Sequence, residues 1–555
     1  SSGSAMRQLV ARGMLRKTRW DGVINGTGPL KRPLFRMLSS RIKPENMLLA
    51  MLREKDYVLD EIEQSRKILD ERFVSLEPAE FLRHFQTLLC GKALIDMAYF
   101  PSQLDFGLGF QGTAFSPNTG DVLRGVADEK LNFLLPYYRR KVMPLLEKEQ
   151  PELVGLSMTC IYEIIPVLTL ANMIKKTHPH IHVTLGGVLP TQIAHRLAGN
   201  PPLWSMFDSI VLGPGEVPFS ELIERIGKGA DPAGVPNIIY RQNGSIKYSE
   251  KTYEFDLNDA CTPEFVGVRP ASGLPLETSS GCYWGKCIFC YYPKAGTADR
   301  DGSYQKKRVR NIELVLKDIR ELQEKYNPCA IALTDSSVHP KRIEDIAEDN
   351  LRTGKKIPFS ALFRLEKEFK SKAFCRKLAE GGFLGGYVGL ESGSQRVNDI
   401  INKGISVADS GAIIKNFYDT GILLHVFSII GIPGETREDA LMTYEFFQRW
   451  RRWITLDWVI YYLYVTEQSP IARRTGELGL EVTPLPPDYL VDVMRYKTAA
   501  GLTQDEATTL AVSYTEKLRR YLHPLNRIMD IESAALFLLA QRAKGIMPDR
   551  VKIPA

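Results

Sequence analysis

Apolar residues recur at helical spacing through the first part of the chain, and residues 44–73 (PENMLLAMLREKDYVLDEIEQSRKILDERF) predict a long amphipathic helix nearly free of breakers. The rhythm changes near residue 90. The largely apolar run KALIDMAYF (92–100) predicts a strand, and 129–149 predicts helix. Apolar strands are expected at 153–159, 182–187 and 209–216, with helices between them and a further helix at 217–227. Short strands that are apolar on both faces and alternate with helices describe an open parallel α/β sheet. After a Pro- and Asn-bearing linker (229–272) a second series begins, with strands at 274–280, 329–335, 358–364, 386–392, 424–433 and 457–464. Helices are predicted at 311–325, 371–380, 407–420 and 436–450. Six β/α units in succession predict a closed or nearly closed barrel with its chemistry at the carboxyl ends of the strands. From 484 to 545 the pattern predicts helix again.

The expected division is therefore a helical region to residue 89, an α/β domain at 90–228, the linker at 229–272, a barrel at 273–465, and a helical region from 466 on. SSGSA, ahead of Met6, reads as a tag remnant. Net charge is only +7 over 555 residues, so the basic runs RKTR (16–19) and QKKRVR (305–310) are expected to be solvated faces, with no nucleic-acid partner. No apolar run reaches the ~18 residues of a membrane helix, so no membrane partner is expected. Of the eight cysteines, Cys90, Cys160, Cys261, Cys329 and Cys375 are scattered, which suits a reducing, cytoplasmic setting rather than a disulfide framework.

The other three change the picture. SSGCYWGKCIFCYYPK (279–294) places Cys282, Cys287 and Cys290 directly after the first barrel strand. Clustered thiolates select soft metals. Structural zinc usually takes four ligands, and here there is neither a second cysteine pair nor a nearby histidine. Three thiolates on one loop suit a 4Fe–4S cluster with one iron left open.

GCYWGKCIFCYYP ahead of a six-unit barrel resembles the radical S-adenosylmethionine (SAM) superfamily, and Phe289 before the last cysteine is typical of it. The commonest spacing there is C-x3-C-x2-C. This chain has C-x4-C-x2-C, so Tyr283–Lys286 have no direct counterpart. The resemblance implies that SAM binds the open iron and is cleaved to a 5′-deoxyadenosyl radical. It also implies SAM contacts at three later strand ends. These are Glu391 and Ser392 in GYVGLESGS, Gly431 and Pro433 in IIGIPGET, and Arg364 in ALFRLEK, whose guanidinium suits a carboxylate. Asp335 lies near the same mouth, and Tyr461, Tyr462 and Tyr464 end the sixth strand.

Residues 90–228 resemble the cobalamin-binding, flavodoxin/Rossmann-like domain that precedes many such barrels, through PELVGLSMT, HVTLGGVLPT and FDSIVLGPGE. The cobalamin contacts this implies are Ser157, Thr159, Gly186, Gly187, Gly213, Gly215 and Glu216, at the carboxyl ends of the strands. The D-x-H-x-x-G motif is absent, which implies cobalamin without a histidine on its lower face, and Pro214 replaces a more usual acidic residue. GLGFQG (Gly107, Gly109, Gly112) has no helix opening behind it and is read as a loop, not a dinucleotide site. HPHIH (His178, His180, His182) is read as surface loop.

The fold expected is thus α/β. An N-terminal helical segment precedes an open parallel sheet, a partial (β/α)6 barrel and a helical C-terminal region. The resemblance implies a cobalamin-dependent radical SAM methyltransferase acting on an unactivated carbon of a peptide or small molecule, fed electrons by a flavodoxin- or ferredoxin-like donor. The alternative is rearrangement, cyclisation or oxidation without methylation. A methylthiotransferase would need three further cluster cysteines where only Cys90 and Cys160 lie. A non-catalytic sensor is disfavoured by the intact cysteine loop.

Overall fold

The computed structural model describes residues 44–72, 76, 78–105, 109–112, 114–267, 273–291, 308–519 and 521. The tag remnant, the first basic run, Gly107 and everything expected beyond 521 lie outside them. Two compact units emerge. One holds the described residues up to Phe255 together with Pro486–Val491; the other holds those from Asp256 to Leu485 and from Asp492 on.

The first unit opens with two packed helices, α1 (Pro44–Arg72) and α2 (Pro78–Ala98), joined through Val58, Leu59 and Leu94 and by a Ser65–His84 hydrogen bond of 3.0 Å. The strand expected at 92–100 is the end of α2. Thr87, Gly91, Leu94 and Ala98 are buried at helical spacing, and that period decides over the local apolar run. A short antiparallel hairpin follows, β1 (Ser102–Asp105) with β2 (Gly109–Gly112), so the second half of GLGFQG is strand rather than loop. Helix α3 (Thr119–Ala127) is capped by Asn118, whose side chain accepts from the Asp121 N–H at 2.8 Å. The helix expected at 129–149 is broken at Val142 into α4 (Leu134–Lys141) and α5 (Met143–Glu149).

The sheet of this unit runs in chain order, β3 (Leu153–Ser157), β4 (His182–Gly186), β5 (Ser209–Val211), β6 (Ile238–Gln242) and β7 (Ser245–Tyr248). Strands β3 to β5 are parallel, with α6 (Ile164–Thr177) and then α7 (Val188–Gln192) and α8 (Ala194–Ala198) as crossovers. Strands β6 and β7 add antiparallel edges after α9 (Glu216–Gly227). Part of the expected linker is therefore sheet: Ile238, Ile239 and Tyr240 are buried. His182 likewise starts β4, half-buried with Nε2 2.8 Å from Ser209 Oγ, while His178 and His180 stay on the preceding turn. Residues 486–491 seat on this unit. Leu490 enters its core, and Arg196 Nη1 donates to the Pro486 carbonyl at 2.8 Å.

The second unit is built on six described parallel strands, β8 (Leu274–Leu276), β11 (Ile331–Val338), β12 (Phe359–Phe363), β13 (Phe383–Glu391), β14 (Leu423–Ile430) and β15 (Asp457–Tyr462), paired in that order. Between β8 and β11, a short β9 (Ser279–Ser280) pairs with β10 (Arg308–Val309). Crossovers are α10 (Ile312–Tyr326), α11 (Pro340–Thr353), α12 (Lys372–Glu380), α13 (Gln395–Ile400) with α14 (Val407–Thr420), and α15 (Arg437–Trp450). Their ends follow local chemistry: Thr436 and Asp439 form a reciprocal cap at the start of α15, and Gly354 and Gly421 close α11 and α14 in left-handed geometry. Outward-facing Ile331, Phe363, Val388, Val426 and Ile460 bury against Ile319, Ile343, Phe417 and Phe447 of these helices.

The helix expected from 484 begins only at Gln504; before it the chain is irregular except for a strand at Val493–Thr498. β16 (Val465–Thr466), β18 (Val493–Thr498) and β17 (Leu480–Thr483) pair antiparallel. Met494 and Tyr496 are buried while Arg495 and Lys497 are exposed, a period of two that a helix does not give. Helix resumes at Gln504–Arg519. Arg310 also departs from expectation. The last residue of QKKRVR is not solvated but buried, with Nε 2.8 Å from Asp318 Oδ2.

Candidate functional site

The cysteine loop leaves β9 and is held by contacts before Cys282 and between successive thiols. Thr278 N–H and Oγ1 donate to Asp335 at 2.7 and 2.8 Å, and Ser279 Oγ donates to the same carboxylate, so Asp335 braces the strand that launches the loop. Between Cys282 and Cys287, the Tyr283 hydroxyl donates to Glu366 at 2.8 Å and its ring meets His339 edge-on. Trp284 donates from Nε1 to the Asn402 carbonyl at 2.7 Å, and the Arg364 guanidinium lies 4.5 Å from its ring centre. Gly285 has φ +62°, the left-handed geometry a glycine accepts without penalty. The four residues between the first two cysteines are thus accommodated by one glycine turn with an anchored aromatic on its amino side. Between Cys287 and Cys290, Ile288 is buried with Ile401, Ile432 and Ile471, and its N–H donates to the Ile401 carbonyl at 3.1 Å.

Cys282, Cys287 and Cys290 are all partly buried and in no disulfide. Burial raises the Cys287 thiol above its ordinary value, while the nearby Lys403 and Arg364 pull the other way. Among the described residues no three His, Cys, Asp or Glu side chains already converge as a metal-ligand set. The donor chemistry nonetheless fits an iron–sulfur cluster: three thiols on one anchored loop form a soft-metal donor set.

The remaining barrel residues gather on the same rim. Glu391 ends β13 at φ +62°, strained for a non-glycine residue, and forms a buried ion pair with Lys403 at 2.6 Å. Arg364 donates through Nε to Glu366 at 2.7 Å and through Nη2 to the Lys403 carbonyl at 2.5 Å. The Ser392 hydroxyl is fully buried beside Thr443 Oγ1 and accepts from the Ser394 N–H at 3.1 Å, so it braces its own turn. Gly431 (φ +100°) and Pro433 close β14. A Cβ at Gly431 would stand 2.7 Å from the Ala507 methyl.

Residues the sequence left unassigned hold this rim together. Glu435 is wholly buried, accepts from the Gly431 and Ile432 N–H groups, and is pushed up to about 7 by burial. Its place in GIPGET was the available signal. Gly404 carried none: its partner, Trp284, is 120 positions away, and a Cβ on it would lie 2.1 Å from Trp284 Cζ2. Gly404→Ala is expected to displace the indole at a cost of about 1–3 kcal/mol. Iron retained per chain should fall even where a thermal melt shows the chain folded. Full retention of iron would mean that the Trp284 contact does not hold the loop.

In the first unit, parallel register places Ser157 beside Gly186, so the three predicted loops share one edge of the sheet. Thr159 is engaged by Glu163, Oγ1 to Oε2 at 3.1 Å. The Gly213 N–H donates to Thr191 Oγ1 at 3.0 Å. A Cβ at Gly187 (φ +99°) would strike the Met158 carbonyl at 2.4 Å, whereas at Gly186 or Gly215 it would meet nothing within 4 Å. Glu216 is exposed in the first turn of α9, Ile161 and Tyr162 are exposed in the helical turn after β3, and Val188 is exposed at the start of α7. This edge is open, glycine-lined and partly apolar, the chemistry a large flat ligand needs.

Comparison with known proteins defines the class. Residues 276–447 match the model of the Radical SAM superfamily, so the barrel is a radical SAM domain. An uncharacterized methyltransferase of Pyrococcus horikoshii is 26% identical over 317 residues, covering 55% of this chain and 66% of that protein. The anaerobic magnesium-protoporphyrin IX monomethyl ester cyclase of Rubrivivax gelatinosus is 22% identical over 319 residues, covering 54% and 55%. The chain thus spans just under two thirds of the first curated relative and about half of the second. The radical SAM methyltransferase TsrM from Kitasatospora setae, solved with cobalamin and a [4Fe–4S] cluster, superimposes with TM-score 0.54 at 16% identity, covering 74% of this chain and 92% of its own. The chain carries a radical SAM domain at 276–447, and its α/β-plus-barrel fold is similar to that of TsrM. Among the described residues no helix is long and apolar enough to cross a membrane.

Proposed function

We propose that the chain is a cobalamin-dependent radical SAM methyltransferase acting on an unactivated carbon of a peptide or small-molecule substrate. The observation that carries this reading is the anchored cysteine loop. Ile288 packs it against Ile432, in the same turn as Gly431 and Pro433, and Cys287 lies within the field of Glu391, Lys403 and Arg364. In this reading Cys282, Cys287 and Cys290 hold a 4Fe–4S cluster. Glu391, the Gly431–Pro433 turn and Arg364 surround SAM, with Ser392 bracing the turn behind Glu391. The edge formed by Ser157, Thr159, Gly186, Gly187, Gly213, Gly215 and Glu216 takes cobalamin. Once bound, the cofactors supply the hydrogen abstraction and the methyl group. The chain's own residues orient them: Glu435 fixes the Gly431 turn, Lys403 neutralises Glu391, and Trp284 seats the cysteine loop. A flavodoxin- or ferredoxin-like protein would deliver the electrons.

TsrM and the Pyrococcus relative, both named methyltransferases, support transfer of a methyl group. The Rubrivivax cyclase favours a second reading, radical chemistry on the same cofactors without methylation. The test is anaerobic reconstitution with iron, sulfide and cobalamin, followed by product analysis under reduction. Matched 5′-deoxyadenosine and S-adenosylhomocysteine with a product heavier by one CH2 is the expected result. Deoxyadenosine with an unmethylated product would select the second reading, and failure to retain cobalamin would remove the role given to the first unit.

A further inference from the structure

Alternate residues of β12 to β15 face the helices, and the intervening ones face the inside of the barrel. Phe363, Val388, Val426 and Ile460 belong to the outer set. Leu362, Tyr387, Gly389, His425, Phe427 and Tyr461 belong to the inner one. Within the inner set Leu362 is 36% and Tyr461 40% exposed, so part of this face is open to a ligand, while His425 is fully buried. Across three neighbouring strands the rings run nearly parallel: Tyr387 and Phe427 have centroids 5.9 Å apart at 12°, and Phe427 and Tyr461 6.2 Å apart at 30°. On the outer face, by contrast, Phe363 meets Phe417 and Phe383 edge-on, at 86° and 68°.

One residue of the inner set has no structural account. His425 is fully buried, its ring 4.6 Å from Phe427 and 5.4 Å from Tyr387, and neither Nδ1 nor Nε2 has a hydrogen-bond partner. Burial pushes the imidazole down to about 3, so it is neutral, with one donor and one acceptor. Leaving such a group buried and unpaired is unfavourable, and a ligand that pairs it relieves that cost. Gly389 is in register with Phe427, and the Glu391 carboxylate and Lys403 ammonium fold back beside it, 2.1 and 2.7 Å from where its Cβ would stand.

We infer that the inner face of the barrel binds a flat aromatic ring of the substrate, stacked on Phe427 between Tyr387 and Tyr461, with His425 hydrogen-bonded to a hydroxyl, carbonyl or ring N–H on it. This rests on the radical SAM reading above and adds the class of substrate: an aromatic or conjugated ring carrying one neutral polar group, placed just beneath Glu391.

The test compares 2-naphthol with decahydro-2-naphthol, which keeps the hydroxyl and loses the flat ring, by equilibrium dialysis against the reconstituted 555-residue chain. The flat probe is expected to bind roughly 2- to 12-fold more tightly. Phe427→Leu should abolish that preference. His425→Phe should weaken the flat probe roughly 2- to 12-fold, and His425→Gln, which keeps a donor and an acceptor, should restore it. Equal binding of the two probes to the unmodified chain, no binding of 2-naphthol, or a preference that survives Phe427→Leu overturns the inference. None of these readouts needs SAM cleavage or cobalamin retention. Failure of the cofactor assignment is therefore seen separately, in the deoxyadenosine and cobalamin measurements.

Discussion

Replacing Cys282, Cys287 or Cys290 singly by Ala is expected to lower SAM cleavage to the level measured without protein and to strip the reconstituted chain of most of its iron. The three thiols sit within nine positions on one loop, and the first unit offers only Cys90 and Cys160. No other cysteine is placed to substitute: Cys329 and Cys375 are buried in the barrel's own packing, and burial drives the Cys375 thiol up to about 12. A cluster with three protein ligands tolerates the loss of none, because each thiolate closes one iron's coordination. Cys261→Ala, at an exposed position away from the loop, is the matched control and should keep iron and cleavage. Iron per chain, the visible absorbance of the cluster and 5′-deoxyadenosine are the three readouts. Persistent deoxyadenosine from any of the three loop variants would sink the cluster assignment.

The order of the barrel was legible because each parallel strand is an apolar run bounded by helical periodicity, and 329–335 through 457–464 each contain or overlap an observed strand. The cysteine loop was legible because its signal is local, three identical side chains within nine positions. What was not legible depends on distant register. Lys403 could not be paired with Glu391 from sequence, since the pairing needs the turn after α13 to fold back over the end of β13. Trp284 looked like an unmatched insertion until Gly404 and Asn402 were found to receive it. His425 reads as one more residue of an apolar strand, and only the inward face of β14 gives it meaning. The error at 92–100 has a different origin. A short, mostly apolar run broken only by Lys92 and Asp96 satisfies both the strand and the helix template, and the burial of Gly91, Leu94 and Ala98 on one side decides for the helix.

The largest stability effect is expected at Arg310 and Asp318, a pair that a reading of QKKRVR as a solvated run hides. Both side chains are at most 4% exposed, and Nε lies 2.8 Å from Oδ2. Arg310 Nη1 also donates to the Leu257 carbonyl, and Thr262 Oγ1 donates to Asp318 Oδ1 at 2.7 Å. Asp318→Ala leaves a guanidinium buried without its counter-charge, which costs about 3–5 kcal/mol, far more than an exposed pair. In a unit of this size that is a fall in melting temperature of roughly 6–20 °C. The damage should reach the site. The Arg310 N–H holds the Thr278 carbonyl at 3.0 Å, and the adjoining β10 pairs with Ser279 and Ser280, two residues short of Cys282. Arg310→Met combined with Asp318→Leu removes both charges and should recover much of the lost stability, because a buried ion pair exchanged for apolar packing is often neutral. Denaturant titration of the three forms separates the terms. A single-variant loss under about 1 kcal/mol would place the pair in the class of solvated surface bridges. Recovery of stability without recovery of iron in the double variant would show that the guanidinium also orders the strand that launches the cysteine loop.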